Sequence, residues 1–135
     1  MYENRQGQFV DVAAERDVTD IGSGMSVSWG DYNRDGLADL YVGNMFSSAG
    51  QRVTAMTRFR SQEDQETRDI YARLAKGNSL FSQAADGQFA EVGAEANVEI
   101  GRWAWSSVFA DINNDGWEDL LVANGYFTTD DSDDL

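Results

Sequence analysis

The acidic stretch Asp31-Tyr32-Asn33-Arg34-Asp35-Gly36-Leu37-Ala38-Asp39 occurs twice in the chain and decides how the rest is interpreted. At an offset of 80 residues it returns as Asp111-Ile112-Asn113-Asn114-Asp115-Gly116-Trp117-Glu118-Asp119. Both copies follow the pattern D-x-N-x-D-G-x-x-D. The same offset aligns Gly7-Gln8-Phe9 with Gly87-Gln88-Phe89. The sequence therefore contains two copies of one unit, and we expect the second copy to be cut off near its middle.

Each unit is predicted to consist of short strands joined by turns. Apolar-rich runs flank both acidic loops and the turn Ala85-Asp86-Gly87, at residues 25–29, 39–43, 78–81, 88–92, 105–109 and 119–123. Strand–turn–strand is the natural interpretation of such runs, and Asp-Gly is a common hairpin turn. The region between about residues 25 and 92 thus holds four strands, the content of one blade of a β-propeller.

Residues 47–77 interrupt this blade and have a helical pattern near their end. Ser61 is suited to cap a helix that runs through Lys76, and Gly77 stands at the stop position. Three apolar residues would share one face of that helix: Ile70, Tyr71 and Leu74.

Two further features of the insertion leave its role open. Asp69 and Arg73 have the spacing of a helical ion pair, whereas the alternation from Val53 to Phe59 fits a strand as well as a helix. One interpretation is an insertion that packs against its own blade. The other is a protruding recognition element.

The acidic loops have the chemistry of a calcium site. Calcium takes 6–8 oxygen ligands from carboxylates, amide and backbone carbonyls, and water. Oxygen-bearing side chains at positions 1, 3 and 5 of the loop can converge when it curls, and glycine at position 6 permits the sharp turn. Position 7 can then offer its backbone carbonyl, and the aspartate at position 9 closes the site.

The acidic loops have alternatives to a calcium site. An EF-hand requires a glutamate at position 12, but that position holds Val42 in one copy and Val122 in the other. The Asp and Asn side chains could instead form Asx-turns without metal. Magnesium prefers stricter geometry, and zinc lacks its usual nitrogen and sulfur ligands here. Because the second loop carries Glu118 and the first carries Arg34, we expect tighter calcium binding at the second.

The composition excludes several classes of function. Asp and Glu number 24 against 10 Lys and Arg, which gives a formal net charge of −14. Nucleic acids and anionic membranes favour basic surfaces, so neither is expected as a partner. The chain has no His and no Cys, which excludes histidine-dependent triads and thiolate chemistry within it. No apolar run approaches the roughly 18 residues of a membrane span, so membrane insertion is not expected.

The two units resemble FG-GAP/VCBS repeats, the calcium-bearing blades of integrin α-chain-like β-propellers. The motif D-x-N-x-D-G-x-x-D-L-x-V carries this resemblance. Four longer phrases resemble the repeat region of ASPIC/UnbV-type proteins, which are related to the cartilage acidic proteins: residues 26–31, 77–81, 86–89 and 101–106. The resemblance covers nearly the whole chain, including the insertion.

The resemblance implies a mainly β fold, with about two blades of an FG-GAP/VCBS-type β-propeller and a helical insertion near residues 47–77. The implied segments are the end of a blade (1–18), a full blade (19–98), the first half of the next blade (99–126) and an acidic tail (127–135). Such propellers close with more blades than this, so we expect an excerpt that contacts further blades of its full-length chain. Family members are secreted or envelope-anchored, which implies an extracellular, periplasmic or cell-envelope location.

The resemblance also implies two calcium sites, each of which staples two strands of a blade. The implied ligands are Asp31, Asn33, Asp35, the Leu37 carbonyl and Asp39 in the first loop, and Asp111, Asn113, Asp115, the Trp117 carbonyl and Asp119 in the second. Five protein ligands leave little room for a substrate, so the metal is expected to be structural.

The expected function is non-catalytic: a calcium-stabilised propeller segment for extracellular adhesion or for binding a protein or glycan. One alternative is an accessory domain of a secreted hydrolase or lyase, and another is a purely structural protein. Trp103 is the candidate for a partner contact because it aligns with Ser23 and exposed aromatic residues often mark binding surfaces. Trp105 aligns with Met25 and is expected in the core.

Overall fold

Within residues 1–124, the part of the chain that the computed structural model describes, eight short strands and two helices form the fold. The strands are β1 (Tyr2–Arg5), β2 (Gln8–Asp11), β3 (Gly24–Gly30), β4 (Asp39–Asn44), β5 (Ser79–Gln83), β6 (Phe89–Glu91), β7 (Ala104–Ala110) and β8 (Asp119–Asn124). The helices are α1 (Ser48–Thr54) and α2 (Gln65–Lys76). The acidic tail predicted at 127–135 lies outside the described residues.

The strands form one four-stranded antiparallel sheet, in the order β3-β4-β5-β6, and two antiparallel pairs, β1-β2 and β7-β8. The mainly β fold and the four strands predicted between residues 25 and 92 are therefore confirmed. The predicted turn at 85–87 joins β5 to β6, and the Asp86 carboxylate accepts the Gln88 N–H at 3.0 Å. No strand of one sheet pairs with a strand of another, and the described residues do not form a closed ring.

The central sheet buries side chains on both faces, because residues alternate sides along a strand. Leu40 pairs with Phe81 across β4 and β5, and the next pair is Tyr41 with Leu80. Leu40 and Phe81 belong to one buried cluster with Val18, whereas Tyr41 and Leu80 belong to another. A sheet that is apolar on both faces requires a neighbour on each side.

Those neighbours are the preceding and the following repeat. Phe109 of β7 packs edge-on to Tyr41, with ring centroids 6.4 Å apart. Polar contacts accompany this packing: the hydroxyls of Ser26 and Ser107 lie 3.0 Å apart, and the Phe109 N–H donates to the Ser28 hydroxyl at 3.2 Å. Successive copies of the repeat thus stack face to face.

The 80-residue repeat is also visible in the turns that close each unit. The Val18 N–H donates to the Ala13 carbonyl at 3.0 Å, and the Val98 N–H donates to the Gly93 carbonyl at 3.0 Å. Both acidic loops likewise join two paired strands, β3 to β4 and β7 to β8. The sequence alignment therefore corresponds to a geometric repeat.

The insertion is helical, as predicted, but its details differ. Helix α2 begins after Asp64 instead of Ser61, because the Asp64 carboxylate accepts the Thr67 N–H at 2.7 Å and caps the first turn. The ambiguous stretch near Val53 belongs to α1 and the turns that follow it. Neither helix within residues 1–124 is long and apolar enough to cross a membrane.

Two predictions concern side chains in the insertion, and the structure contradicts one of them, the ion pair between Asp69 and Arg73. Ile70 and Leu74 are exposed, so the apolar face of α2 is only partly covered. Asp69 accepts a hydrogen bond from the Gln65 side chain at 2.7 Å, and the described residues include no ion pair between Asp69 and Arg73. The insertion is therefore not packed along its length against its own sheet.

Trp105 was wrongly expected in the core, since 53% of its surface is exposed. The register of β7 against β8 shifts between Ala104 and Ser106, which makes Trp105 the extra residue of a β-bulge. Met25, the aligned residue on which the expectation rested, is the extra residue of the equivalent bulge in β3 and is only half-buried, so the alignment does not place Trp105 in the core. The Trp105 ring lies 6.2 Å from that of Trp103, a half-buried residue that is bridged to Met45 at the start of the insertion.

Candidate functional site

The first acidic loop is closed by hydrogen bonds between its own side chains and backbone. The two carboxylate oxygens of Asp31 accept the N–H groups of Asp35 and Gly36, at 3.0 and 2.9 Å. Asn33 accepts the Asp35 N–H at 3.0 Å and donates its amide to the Asp35 carboxylate at 2.8 Å. Asp35 also accepts the Leu37 N–H at 2.8 Å. Positions 1, 3 and 5 of the loop therefore lie together.

The second loop repeats this pattern. Asp111 accepts the N–H groups of Asp115 and Gly116 at 3.1 and 2.8 Å. Asn113 accepts the Asp115 N–H at 2.9 Å and donates to its carboxylate at 2.8 Å. Asp115 accepts the Trp117 N–H at 2.9 Å. Equivalent side chains in the two repeats thus have equivalent bonding partners.

The curl of each loop depends on two turn positions with positive φ, positions 4 and 6, on either side of the aspartate at position 5. Gly36 has φ 83° and Gly116 has φ 85°, which glycine adopts at no steric cost. Position 4 also has a positive φ of 59°, held by Arg34 in the first loop and Asn114 in the second. Asparagine tolerates this conformation better than most residues. The glycine at position 6 therefore has the conformational role that the sequence predicted.

The aspartate at position 9 anchors each loop to the sheet. In the first loop Asp39 is fully buried and accepts the N–H groups of Tyr32 at 3.2 Å and Gln83 at 2.9 Å. Burial raises the pKa of the Asp39 carboxyl, against the opposing effect of these bonds and of the Ser82 hydroxyl. Asp119 similarly accepts the Ile112 N–H at 3.1 Å but is only half-buried.

The two loops contact each other at one edge of the stacked sheets. The Asp31 N–H donates to the Glu118 carboxylate at 2.7 Å. The Arg34 guanidinium lies over the Trp117 ring, 5.0 Å from its centroid. Three effects lower the pKa of the Asp115 carboxyl: bonds from the Trp117 N–H and the Asn113 amide, then the nearby charge of Arg34. Each loop is thus part of the other's electrostatic surroundings.

Only some of the positions predicted as metal ligands are therefore in direct contact with one another. Positions 1, 3 and 5 are linked directly, whereas Asp39 and Asp119 are linked to their loops through the N–H of residue 2. Leu37 and Trp117 contribute an N–H donor to the bonds described above. Across residues 1–124, no group of three or more acidic side chains is arranged to hold a metal ion. The loops have the geometry of Asx-turns. The atoms at their centre that could ligate a metal ion are oxygens.

The family pattern of FG-GAP-like repeats matches residues 1–42 and 66–122, which is most of the chain. The chain belongs to the FG-GAP-like repeat family. The match includes both acidic loops and all eight strands, apart from the last two residues of β4 and the last two residues of β8. Comparison with curated proteins and with solved structures finds no significant similarity.

The FG-GAP match omits residues 43–65, which contain α1 and the turns after it. This gap coincides with the first two thirds of the insertion predicted at 47–77. The family pattern therefore accounts for the two loops and the stacked sheets, and it does not account for the protruding segment between β4 and α2.

Sequence reasoning missed the contacts that join the loops. Glu118 and Arg34 occupy non-ligand positions, 8 and 4, where D-x-N-x-D-G-x-x-D accepts any residue. Nothing in the spacing indicates that they face the neighbouring repeat. The only available signal was the repeat itself, because stacked copies bring equivalent loops to the same edge.

Proposed function

We propose that the chain is a calcium-binding, non-catalytic segment of an FG-GAP/VCBS-type β-propeller that serves adhesion or the binding of a protein or glycan partner. The observation that carries this proposal is the pair of D-x-N-x-D-G-x-x-D loops, which have the same hydrogen-bond pattern in two stacked repeats. Binding and adhesion are the general role of FG-GAP repeats. The bound calcium, its structural role and the location outside the cytoplasm are the parts of this proposal that go beyond the family match.

The donor set supports calcium as the metal. Each loop offers three carboxylates, one amide oxygen and a backbone carbonyl, which are the oxygen ligands that a hard cation takes. A carboxylate oxygen that accepts one N–H still has a second lone pair, so the Asx-turn bonds leave acceptor capacity for an ion. When bound, calcium supplies positive charge to several carboxylates that otherwise repel one another.

The ten proposed ligand positions are Asp31, Asn33, Asp35, the Leu37 carbonyl, Asp39, Asp111, Asn113, Asp115, the Trp117 carbonyl and Asp119. These residues hold the loop between two paired strands, so the ion would tie β3 to β4 and β7 to β8. Glycine at position 6 and the anchoring aspartate at position 9 orient the loop. The acidic side chains are committed to this task, which favours a binding role over catalysis. Turnover of a substrate that requires Glu118 or Asp39 would overturn that part of the proposal.

The exposed face of the second sheet supports a further blade as one partner. Val108 and Leu121 pair across β7 and β8, and both are about half exposed. They are equivalent by the 80-residue repeat to Ser28 and Tyr41, which face β7 in the first unit. The next repeat of the full-length chain would cover them in the same way. Exposed apolar patches of this kind mark contact surfaces.

The finer assignment to ASPIC/UnbV-type and cartilage acidic protein-like proteins is part of the proposal. Its support is the set of phrases at 26–31, 77–81, 86–89 and 101–106. The net charge of −14 supports a partner other than nucleic acid. A secreted or envelope location, extracellular or periplasmic, is proposed for the full-length protein.

Calorimetric titration of chelator-stripped protein with calcium tests the proposal. We expect two sites, one lost in Asp31→Ala and the other in Asp111→Ala. Magnesium at the same concentration should give a much weaker response, because it demands octahedral geometry and keeps its waters. A folded protein that releases no heat with calcium would show that the loops are Asx-turns only.

The charges between the loops determine which of them binds calcium more tightly. The sequence assigns Glu118 to the second loop, but in the structure this carboxylate accepts the Asp31 N–H. We therefore expect Glu118→Gln to weaken calcium binding at the first loop by up to about fivefold, the effect of one exposed charge pair. An Asp111→Ala background leaves only the first loop for this titration. Glu95→Gln, an exposed acid elsewhere, is the control, and an equal effect of both variants would contradict the expectation.

A further inference from the structure

The insertion between β4 and β5 forms a helical hairpin, residues 47–77, that is attached to the sheet only at its base. Two hydrogen bonds join the ends of the hairpin to each other: the Ser47 N–H donates to the Ala75 carbonyl at 3.3 Å, and the Gln51 side chain donates to the Lys76 carbonyl at 3.4 Å. Lys76 in turn forms ion pairs with Glu91 and Glu99, at 2.8 and 2.7 Å. Between Asn44 and Ala75 no residue is buried. The hairpin therefore projects from the sheets.

Charge is strongly segregated between the hairpin and the rest of the chain. Residues 47–77 contain six bases and four acids, a net charge of +2, and the remainder contains four bases and twenty acids, a net charge of −16. The bases in the hairpin are Arg52, Arg58, Arg60, Arg68, Arg73 and Lys76. No acid occurs between Asp39 and Glu63. The projecting segment is thus basic on a strongly acidic body.

The first part of the hairpin carries a basic patch, which we define as Arg52, Val53, Met56 and Arg58. All four residues are exposed, Val53 by 43% and Met56 by 42%. The Arg58 guanidinium lies 3.8 Å from the Met56 sulfur, so charged and apolar groups are adjacent. Within residues 1–124, neither Arg52 nor Arg58 forms an ion pair with a carboxylate. These two guanidinium groups can therefore pair with carboxylates of another molecule.

The turn after the basic patch is held in place by aromatic and charged contacts. Phe59 packs edge-on against Tyr71 of α2, with ring centroids 5.8 Å apart. Arg60 lies over the same Tyr71 ring at 4.2 Å and pairs with Glu63 at 3.1 Å. A patch on an ordered support loses less entropy when it binds a partner.

We propose that the basic patch is a docking site for an acidic protein segment that carries apolar side chains. Carboxylates of the partner would pair with Arg52 and Arg58, and its apolar side chains would cover Val53 and Met56. Arginine and methionine are enriched at protein interfaces. A membrane or a nucleic acid is less suitable, because an extended anionic surface would also face the net charge of −16 on the body. The site goes beyond the calcium loops and rests only on the binding role of the proposed function.

Fluorescence anisotropy with a labelled acidic peptide tests this site on the full chain. The probe is a short synthetic peptide that is rich in Glu and contains Leu, which supplies both carboxylates and apolar side chains. We expect binding that weakens as sodium chloride is raised, since screening acts on exposed charges. Arg52→Glu combined with Arg58→Glu should weaken it by at least about tenfold. Val53→Ser combined with Met56→Ser should weaken it by several-fold while leaving the net charge unchanged.

The control is Arg5→Glu combined with Arg102→Glu, which changes net charge equally at two exposed arginines outside the hairpin. It should leave the peptide affinity within about twofold. Equal effects of the two charge reversals would overturn the proposal, as would a peptide that fails to bind. Anionic vesicles or duplex DNA that bind through Arg52 and Arg58 better than the peptide would overturn it too. The peptide affinity is measured both in calcium and in chelator. A failure of the docking site is thereby distinguished from a failure of the calcium sites.

Discussion

Removing calcium should lower the free energy of unfolding of this chain by about 5 kcal/mol. A ligand that binds only the folded state stabilises it by about 2.7 kcal/mol at a hundredfold excess over its Kd, and two loops are proposed to bind. That is a large part of the roughly 5–15 kcal/mol typical of a folded domain. Urea unfolding in saturating calcium and in chelator measures the difference directly, provided the protein refolds on dilution.

Single-loop variants show whether the effect belongs to the loops. Asp31→Ala should remove about half of the calcium-dependent stabilisation and Asp111→Ala the other half. Each variant also removes two acceptors of backbone N–H groups, which lowers stability with or without metal. Asp86→Ala is the matched control, because Asp86 accepts the Gln88 N–H in an ordinary turn. If Asp31→Ala destabilises equally in calcium and in chelator, the loops contribute only as Asx-turns.

The strands and loops were predictable because their signals are local and repeated. The Asp-Leu-x-Val segments after each acidic loop are β4 and β8, and Asp86-Gly87 marks the hairpin between β5 and β6. A single copy of such a pattern is weak, but two copies in one register reinforce each other. The alternation of Leu40 and Tyr41 onto opposite faces follows from strand geometry alone.

What the sequence could not provide was the relation between repeats. Trp105 was expected in the core on an alignment with Met25, but both residues lie at equivalent β-bulges and Trp105 is 53% exposed. Glu118 and Arg34 were assigned to the loops in which they occur, although each contacts the neighbouring loop. These environments depend on the stacking of the repeats and on a β-bulge. Neither feature leaves a periodic signal in the sequence.

The candidate site was predictable in its chemistry and less so in its geometry. Positions 1, 3 and 5 converge through short-range bonds that the spacing D-x-N-x-D already suggests. The buried Asp39 carboxylate accepts the N–H of Gln83, a residue of β5 that follows the hairpin insertion in the sequence. Half-buried Asp119 shows how the environment of one motif position differs between two copies of the same loop.

Replacing Gly77 by alanine should destabilise the protein by at least about 3 kcal/mol. Gly77 ends α2 with φ 106° and ψ −139°, a conformation that residues with a side chain rarely adopt. A Cβ there would lie 2.4 Å from the backbone carbonyl oxygen of Glu99 and 3.3 Å from the Phe46 ring. The Glu99 carbonyl cannot easily move, because it accepts the Asn78 N–H at 2.8 Å. Strain and steric overlap therefore add at the point where the hairpin, β5 and the second repeat meet.

Gly7→Ala separates these two contributions. Gly7 also has a positive φ, 89°, but a Cβ at this position would meet nothing within 4 Å. Its replacement should lower the free energy of unfolding by only about 1–2 kcal/mol, the intrinsic penalty of a left-handed conformation. Urea unfolding of both variants in saturating calcium measures the contrast. If Gly77→Ala and Gly7→Ala are equally destabilising, the contact with the Glu99 carbonyl relaxes without penalty, and the junction between the repeats is more adaptable than its hydrogen bonds indicate.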